Sequence, residues 1–308
     1  MPEPTAHTPS GLIVPLSATV EAGVPTTQSF QGVKEDAERF TELCKTSGCP
    51  IQQGSEMASL LAGTADLWRR WFTRDYGSIS EDDLVAALSI NRACNLALRL
   101  DGHPKVGEVV AQLQNGSVHI GKRAANSRAK DTLWELEVLA RLSEGGLPVE
   151  LAEPDVVWVD QELVTGVACK KVYSEGHVQN ILSEAVHQIE GSTGFGLVAI
   201  NLDELFLEQL PPDGILRVPY LEDALQRLMD FGFAFLQRHE QRYRHYFTKD
   251  RLTAAIVGVS CAVRIERLRN GRAEPFYVAT QWPCWTHPEL SGGHKARVER
   301  IIQALQRY

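Results

Sequence analysis

The sequence predicts an α/β protein, with an α-β-β-β-α-β core and a mixed sheet behind a helical N-terminal domain. Three observations predict it. Residues 34–115 carry apolar side chains at helical spacing. Residues 128–202 then alternate an amphipathic run, three short β-rich runs, a second amphipathic run and one more apolar strand. Gly145-Gly146 and Gly191 punctuate that alternation where helices should stop.

Composition sets the frame. The chain has 308 residues, 44% hydrophobic and 23% charged, enough for one large core or two modest domains. No apolar run reaches the roughly 18 residues that span a bilayer, so no membrane partner is expected. The opening MPEPTAHTPS has neither a basic stretch nor an apolar core, which points to a cytoplasmic protein. A net charge of −8 argues against binding nucleic acid over the whole surface but leaves room for a local basic face. The six cysteines form no CxxC pair. Cys44 and Cys49 flank a Lys-Thr-Ser-Gly turn with no second pair nearby, which reads as reduced thiols rather than structural zinc.

Each element follows in order. Residues 1–33, with Pro2, Pro4, Pro9, Pro15 and Pro25, read as a flexible tail or as an arm that packs late. Residues 34–117 read as a helical domain. EMASLLAGTADLWRRWFTRDYG is a helix stopped by Gly77, with Trp68 and Trp71 as core. Ser80-x-x-Asp83 is a cap signal for the next helix, which places Leu84, Ala87, Leu88, Cys94 and Leu98 on one face. KVGEVVAQLQNG is a third, ended by Asn115-Gly116.

Residues 118–308 read as the α/β domain. A helix spans 128–144, and strands follow at 148–151, 155–160 and 164–173, the last two joined by a link short enough for a hairpin. The helix at 175–190 should bury Val178, Ile181, Leu182, Ala185, Val186 and Ile189. The strand GLVAINL after it completes a crossover unit, which makes the sheet mixed. A long helix at 219–247 follows, then strands at 254–268 and 275–281 around an Arg269-Asn270-Gly271 turn, then a helix at 293–307.

The chemistry-bearing residues fall in the core. Phosphodiester hydrolysis needs a divalent metal held by carboxylates and a positive group near the attacking water. Asp155 starts one strand of the hairpin and Lys170 lies in the other. Glu135, on the preceding helix with Val138, Leu139 and Leu142, is aimed at those strands. Glu137 is the competing carboxylate, on a face with Ala140 and Arg141 that reads as less buried.

The element order, the Pro154-Asp155 dipeptide and the Ala168-Cys169-Lys170 triplet resemble the PD-(D/E)xK nuclease superfamily, the restriction-endonuclease-like proteins. GVACKKVYSEG is similar to the lysine strand of Mrr-type restriction enzymes. The resemblance covers residues 128–202. It implies a metal-dependent endonuclease that hydrolyses DNA phosphodiester bonds with Mg²⁺ or Mn²⁺, in genome defence or DNA processing. It implies Asp155 as the central metal ligand, the Cys169 carbonyl as another, Lys170 as the group that positions or activates water, and Glu135 as the helix carboxylate. One departure stands out: the acidic position two before the lysine is Ala168. In some members of the superfamily that carboxylate stands on the following helix. Glu184, with Gln188 one turn later, is the counterpart here as catalytic and metal-ligating candidate. If Glu184 merely faces solvent, the chain keeps the nuclease fold without catalysis and serves as a DNA- or protein-binding module.

Candidate nucleic-acid contacts are Lys122, Arg123, Arg128 and Lys130, in a stretch with no acid. Lys171 and Gln188, next to the candidate site, join them. Arg238, Arg242, Arg244, Lys249 and Arg251 form a second basic stretch against Glu240 and Asp250. The plainer reading of both stretches is a solvated helix face. The helical N-terminal domain is the expected place for a partner protein or a second copy of the chain. No GxGxxG, GxxxxGK[ST], GxSxG or HExxH pattern is present, so dinucleotide, P-loop, α/β-hydrolase and zinc-protease readings have no motif behind them.

Overall fold

The computed structural model describes residues 30–160, 163–247, 251–267, 276–287, 289–290 and 292–306, together with the backbone of four strand segments before residue 30. The chain is mixed α/β, and it divides into two compact units, each discontinuous in sequence.

The first unit comprises Met1–Leu133, Gln209–Ala224 and Cys261–Ala279. Its opening forms β1 (His7–Thr8), β2 (Gly11–Leu12), β3 (Val14–Thr19) and β4 (Thr26–Gln28). Where the prolines read as a flexible tail, strands β1 and β2 pair, as do β3 and β4. The β3–β4 ladder is irregular between Val14 and Ser17, where Pro15 has no N–H to donate. Helices α1 (Phe30–Thr46), α2 (Glu56–Phe72), α3 (Glu81–Leu98) and α4 (Val106–Leu113) follow, with α1 and α2 both packed on α3. The Ser80–Asp83 capping box is formed, and each side chain takes the other's backbone donor. Helix α2 stops at Phe72, before the expected Gly77, because Arg74 turns the chain with φ at 63°.

The second unit comprises Trp134–Glu208, Leu225–Ser260 and Thr280–Tyr308. Helix α5 (Arg128–Glu144) enters it, followed by β5 (Val149–Ala152), β6 (Asp155–Val159), β7 (Val164–Lys171), α6 (Val178–Gly191), β8 (Gly196–Asn201) and α7 (Asp203–Leu207). The α-β-β-β-α-β element order is thus observed. Strand β9 (Ile215–Val218) belongs to the first unit, and the expected long helix near 219–247 is two: α8 (Leu221–Arg238) and α9 (Glu240–Tyr246). They break at His239, whose carbonyl accepts the Arg242 and Tyr243 amides and starts α9 afresh. The chain ends with β10 (Leu252–Ile265), β11 (Phe276–Gln281), β12 (Cys284–Thr286) and α10 (Gly292–Gln306). The Arg269-Asn270-Gly271 turn lies outside the described residues. Helix α7 and strands β9 and β12 were not anticipated from sequence.

In this unit β5, β6 and β7 run antiparallel, β7, β8 and β10 run parallel, and β12 pairs antiparallel with β10. Helices cover both faces. Trp134 of α5 lies against Gly258 of β10, so closely that a Cβ there would overlap its ring. Its Nε1 donates to the Ala199 carbonyl at 3.0 Å, and its ring stacks on Trp282. Helix α6 lies on the opposite face, where Ile189 fills the space over Gly166 and Gly196. Helix α10 is held by Arg297, whose guanidinium sits 4.2 Å from the Trp158 ring centroid and donates to Thr165 Oγ1.

Gly258→Ala should therefore destabilise the protein by about 1–3 kcal/mol, because the rigid Trp134 ring must move. Gly191→Ala, with nothing near its added methyl, should stay within about 0.5 kcal/mol. Urea unfolding of both variants checks the contrast, and equal losses would contradict the seating of Trp134.

Candidate functional site

The register of β7 with its neighbours decides which side chains can meet. Val156 pairs with Val167 and Val157 with Gly166, and one step further sets Asp155 opposite Ala168. Directly opposed residues of an antiparallel pair share a face, and side chains alternate along each strand. Asp155, Ala168 and Lys170 therefore lie on the face that α6 covers. Cys169 and Lys171 lie on the other face, with Trp134 and α5.

At the start of β6 the Asp155 carboxylate reaches across the ladder, and its Oδ2 accepts the Cys169 amide at 2.7 Å. The bond fits the local sequence. Pro154 precedes Asp155, the strand is just beginning, and the carboxylate supplies the acceptor for the next donor on β7. Asp155 and Lys170 are both half-buried on the α6 face, and Cys169 is buried on the other. Burial pushes the Cys169 thiol well above its usual range. The Asp155 and Glu135 carboxylates add to that shift and Lys170 offsets it. Asp155 and Lys170 share the α6 face of the sheet, whereas Glu135 stands on α5.

Burial also reverses the expected order of the two helix carboxylates. Glu137 is buried, one turn from buried Arg141, while Glu135 is half-buried. The expectation rested on the apolar neighbours of Glu135. It overlooked that α5 is covered on several sides, with Leu133, Trp134, Leu136, Val138 and Leu142 all buried. Glu184 is exposed on α6, and Gln188 is half-buried there. Gln188 Oε1 is itself buried, with no hydrogen-bond partner among the described residues. Of the expected buried face of α6, Val178, Leu182, Ala185 and Ile189 are buried, whereas Ile181 and Val186 are partly exposed.

Two expected nucleic-acid contacts are taken up by the fold. Lys130 is buried and its Nζ donates to the Lys122 carbonyl at 2.5 Å. The Lys171 side chain is 3% exposed, bonds Asn201 Oδ1, and faces Asp203 and Glu204 at 3.7 and 4.0 Å. Asp203 in turn accepts the Ser260 amide at 2.7 Å. A buried ammonium needs partners of this kind, because desolvation is costly without them. Sequence reasoning missed this cluster. Its signal is the Lys170-Lys171 pair: adjacent lysines in a strand face opposite ways, so one of them needs an acidic partner on the α5 side. Lys122, Arg123 and Arg128 are exposed. In the same segment, burial and the neighbouring Lys122 and Lys130 push His119 down to about 4, so it is neutral at pH 7. In the second basic stretch Arg238 pairs with Glu175, Arg244 with Glu240 and Arg251 with Glu190, while Arg242 bonds His239 Nδ1 at 2.6 Å. Lys249 lies outside the described residues.

No group of three or more His, Cys, Asp or Glu side chains among the described residues is gathered to hold a metal ion. No helix among them is long and apolar enough to cross a membrane. The chain matches no family model, and comparison with curated proteins and with solved structures gives no match.

Lys171→Ala removes the cation that two buried carboxylates face and should cost about 3–5 kcal/mol. Lys170→Ala should cost about 1 kcal/mol or less. Chemical denaturation of the two variants checks this, and a larger loss for Lys170→Ala would show that the lysines have been assigned to the wrong faces.

Proposed function

We propose that this chain is a metal-dependent endonuclease with a restriction-endonuclease-like core, hydrolysing DNA phosphodiester bonds in genome defence or DNA processing. The observation that carries the reading is the register of β6 with β7. It sets Asp155 and Lys170 on one face, two strand positions apart across Ala168, at the start of an antiparallel hairpin that continues into a parallel crossover.

The donor chemistry suits a hard divalent cation. Asp155, the Cys169 carbonyl and Glu184 of α6 are all oxygen donors, and the unpartnered Gln188 Oε1 stands on the same helix as Glu184. Mg²⁺ is commonly held by one or two carboxylates, with water and substrate phosphate oxygens filling the other positions. When bound, Mg²⁺ or Mn²⁺ would lower the pKa of a water and neutralise charge on the phosphate. The chain's own residues do the rest. The Cys169 amide holds the Asp155 carboxylate in one orientation, and the Lys170 ammonium supplies positive charge where negative charge develops. Lys122, Arg123 and Arg128 are surface cations suited to backbone phosphates. Glu135 has no ligand role in this reading, because it approaches from the α5 face.

A specific observation favours a second reading, a nuclease-fold module that binds DNA or protein without cleaving. Ala168 stands where the resemblance calls for an acid, and Glu184 is exposed. Plasmid nicking with Mg²⁺ and Mn²⁺ separates the two. Asp155→Ala and Glu184→Ala should abolish cleavage and weaken metal affinity. Lys170→Ala should slow cleavage about 10²–10³-fold with metal affinity unchanged. Wild-type protein that neither cleaves nor binds metal supports the module. Cleavage that survives Asp155→Ala places the chemistry elsewhere.

A further inference from the structure

The Lys-Thr-Ser-Gly turn between Cys44 and Cys49 closes α1 with a specific cap. The Cys49 amide donates to the Cys44 carbonyl at 2.9 Å, the Gly48 amide donates to the Lys45 carbonyl at 3.2 Å, and Gly48 has φ at 76°. These are the two backbone bonds and the left-handed glycine of a Schellman motif, followed by Pro50. In that motif the residue after the glycine and the residue five positions earlier are brought close, and their side chains are frequently in contact. Here those two residues are Cys49 and Cys44.

Further contacts hold Cys49 in place. Gln114 Nε2 donates to its carbonyl at 3.0 Å, and the Gln114 side-chain oxygen accepts the Gln52 amide at 2.9 Å. The Cys49 thiol donates to the Gly107 carbonyl at 3.3 Å. Cys44 is fully buried and Cys49 half-buried, so only Cys49 meets solvent. Burial pushes the Cys44 thiol up to about 12, with Cys49 as the next cause. Cys94 also lies near Cys44, as a rival partner.

We propose that Cys44 and Cys49 form an oxidisable dithiol, a modification site for low-molecular-weight disulfides. The Cys49 thiolate attacks a small disulfide, forming a mixed disulfide and releasing one thiolate. Cys49 then turns from Gly107 toward Cys44, whose thiolate attacks the Cys49 sulfur and expels the second. The two protein thiols lose two protons and two electrons, and the small disulfide is reduced to two thiols. The resulting bridge ties the last turn of α1 to the chain that leaves it.

The test treats the folded full-length protein with 2-hydroxyethyl disulfide, blocks remaining thiols by alkylation and maps tryptic peptides. Cleavage at Lys45 separates the two cysteines, so a bridge joins peptides 40–45 and 46–69. The expected result is this linked pair in wild type and in Cys94→Ser, with circular dichroism unchanged, and its loss in Cys49→Ser. A Cys44–Cys94 link overturns the proposal. Unlinked peptides also overturn it, whether Cys49 stays free or carries only the small thiol.

Discussion

Strand β7 is gripped on two sides, antiparallel by β6 and parallel by β8, and the register of those ladders determines which of its side chains share a face. Side chains alternate along a strand, so a slip of one residue would send every β7 side chain to the other face. It would bury Lys170 beside Asp203 and Glu204, and turn Lys171 toward Asp155. Three features pin the register from outside the ladder. Trp134 fills the space over Gly258 on one face, Ile189 fills it over Gly166 and Gly196 on the other, and the Asp155 carboxylate takes the Cys169 amide at the hairpin's open end.

Energetics explain why adjacent lysines have such different settings. A buried ion pair returns little net stability over a well-packed apolar pair, yet breaking one by removing a partner is expensive. Lys171, Asn201, Asp203 and Ser260 therefore form a buried polar cluster that is costly to break, whatever its net contribution to stability. Lys170 is only half-buried, carries no such cost, and lies on the α6 face. The same contrast separates Lys130, drawn into the fold against the Lys122 carbonyl, from exposed Lys122 and Arg123.

Elements with strong local signals were legible in the sequence. The bounds of α5 follow from its amphipathic run and Gly145-Gly146, α3 from the Ser80–Asp83 box, and the antiparallel-then-parallel core from the order of runs. What was hidden depends on tertiary surroundings. Glu137 reads as outward beside Arg141 only if α5 has a solvent face there, and it has none. The prolines of the opening suggested a tail, but pairing partners make strands of β3 and β4. His239 continues an apolar helical pattern, and nothing local marks the break it makes. At the site, Asp155 and Lys170 were legible because strand alternation is a local rule. The opposite placement of Glu135 was not, because the face on which a helix lies is set by packing such as that of Trp134.

The most direct test of the register is a cross-strand disulfide. Asp155→Cys with Ala168→Cys, in a Cys169→Ala background, should oxidise readily to a 155–168 bridge, because directly opposed side chains in an antiparallel pair lie about 4.5–5.5 Å apart at Cβ. Asp155→Cys with native Cys169 should not bridge, because those side chains face opposite ways. Peptide mapping of the two oxidised proteins decides the matter. A bridge at 155–168 alone is the result this account predicts. A bridge to Cys169 instead would contradict it, because Lys171, and not Lys170, would then share a face with Asp155.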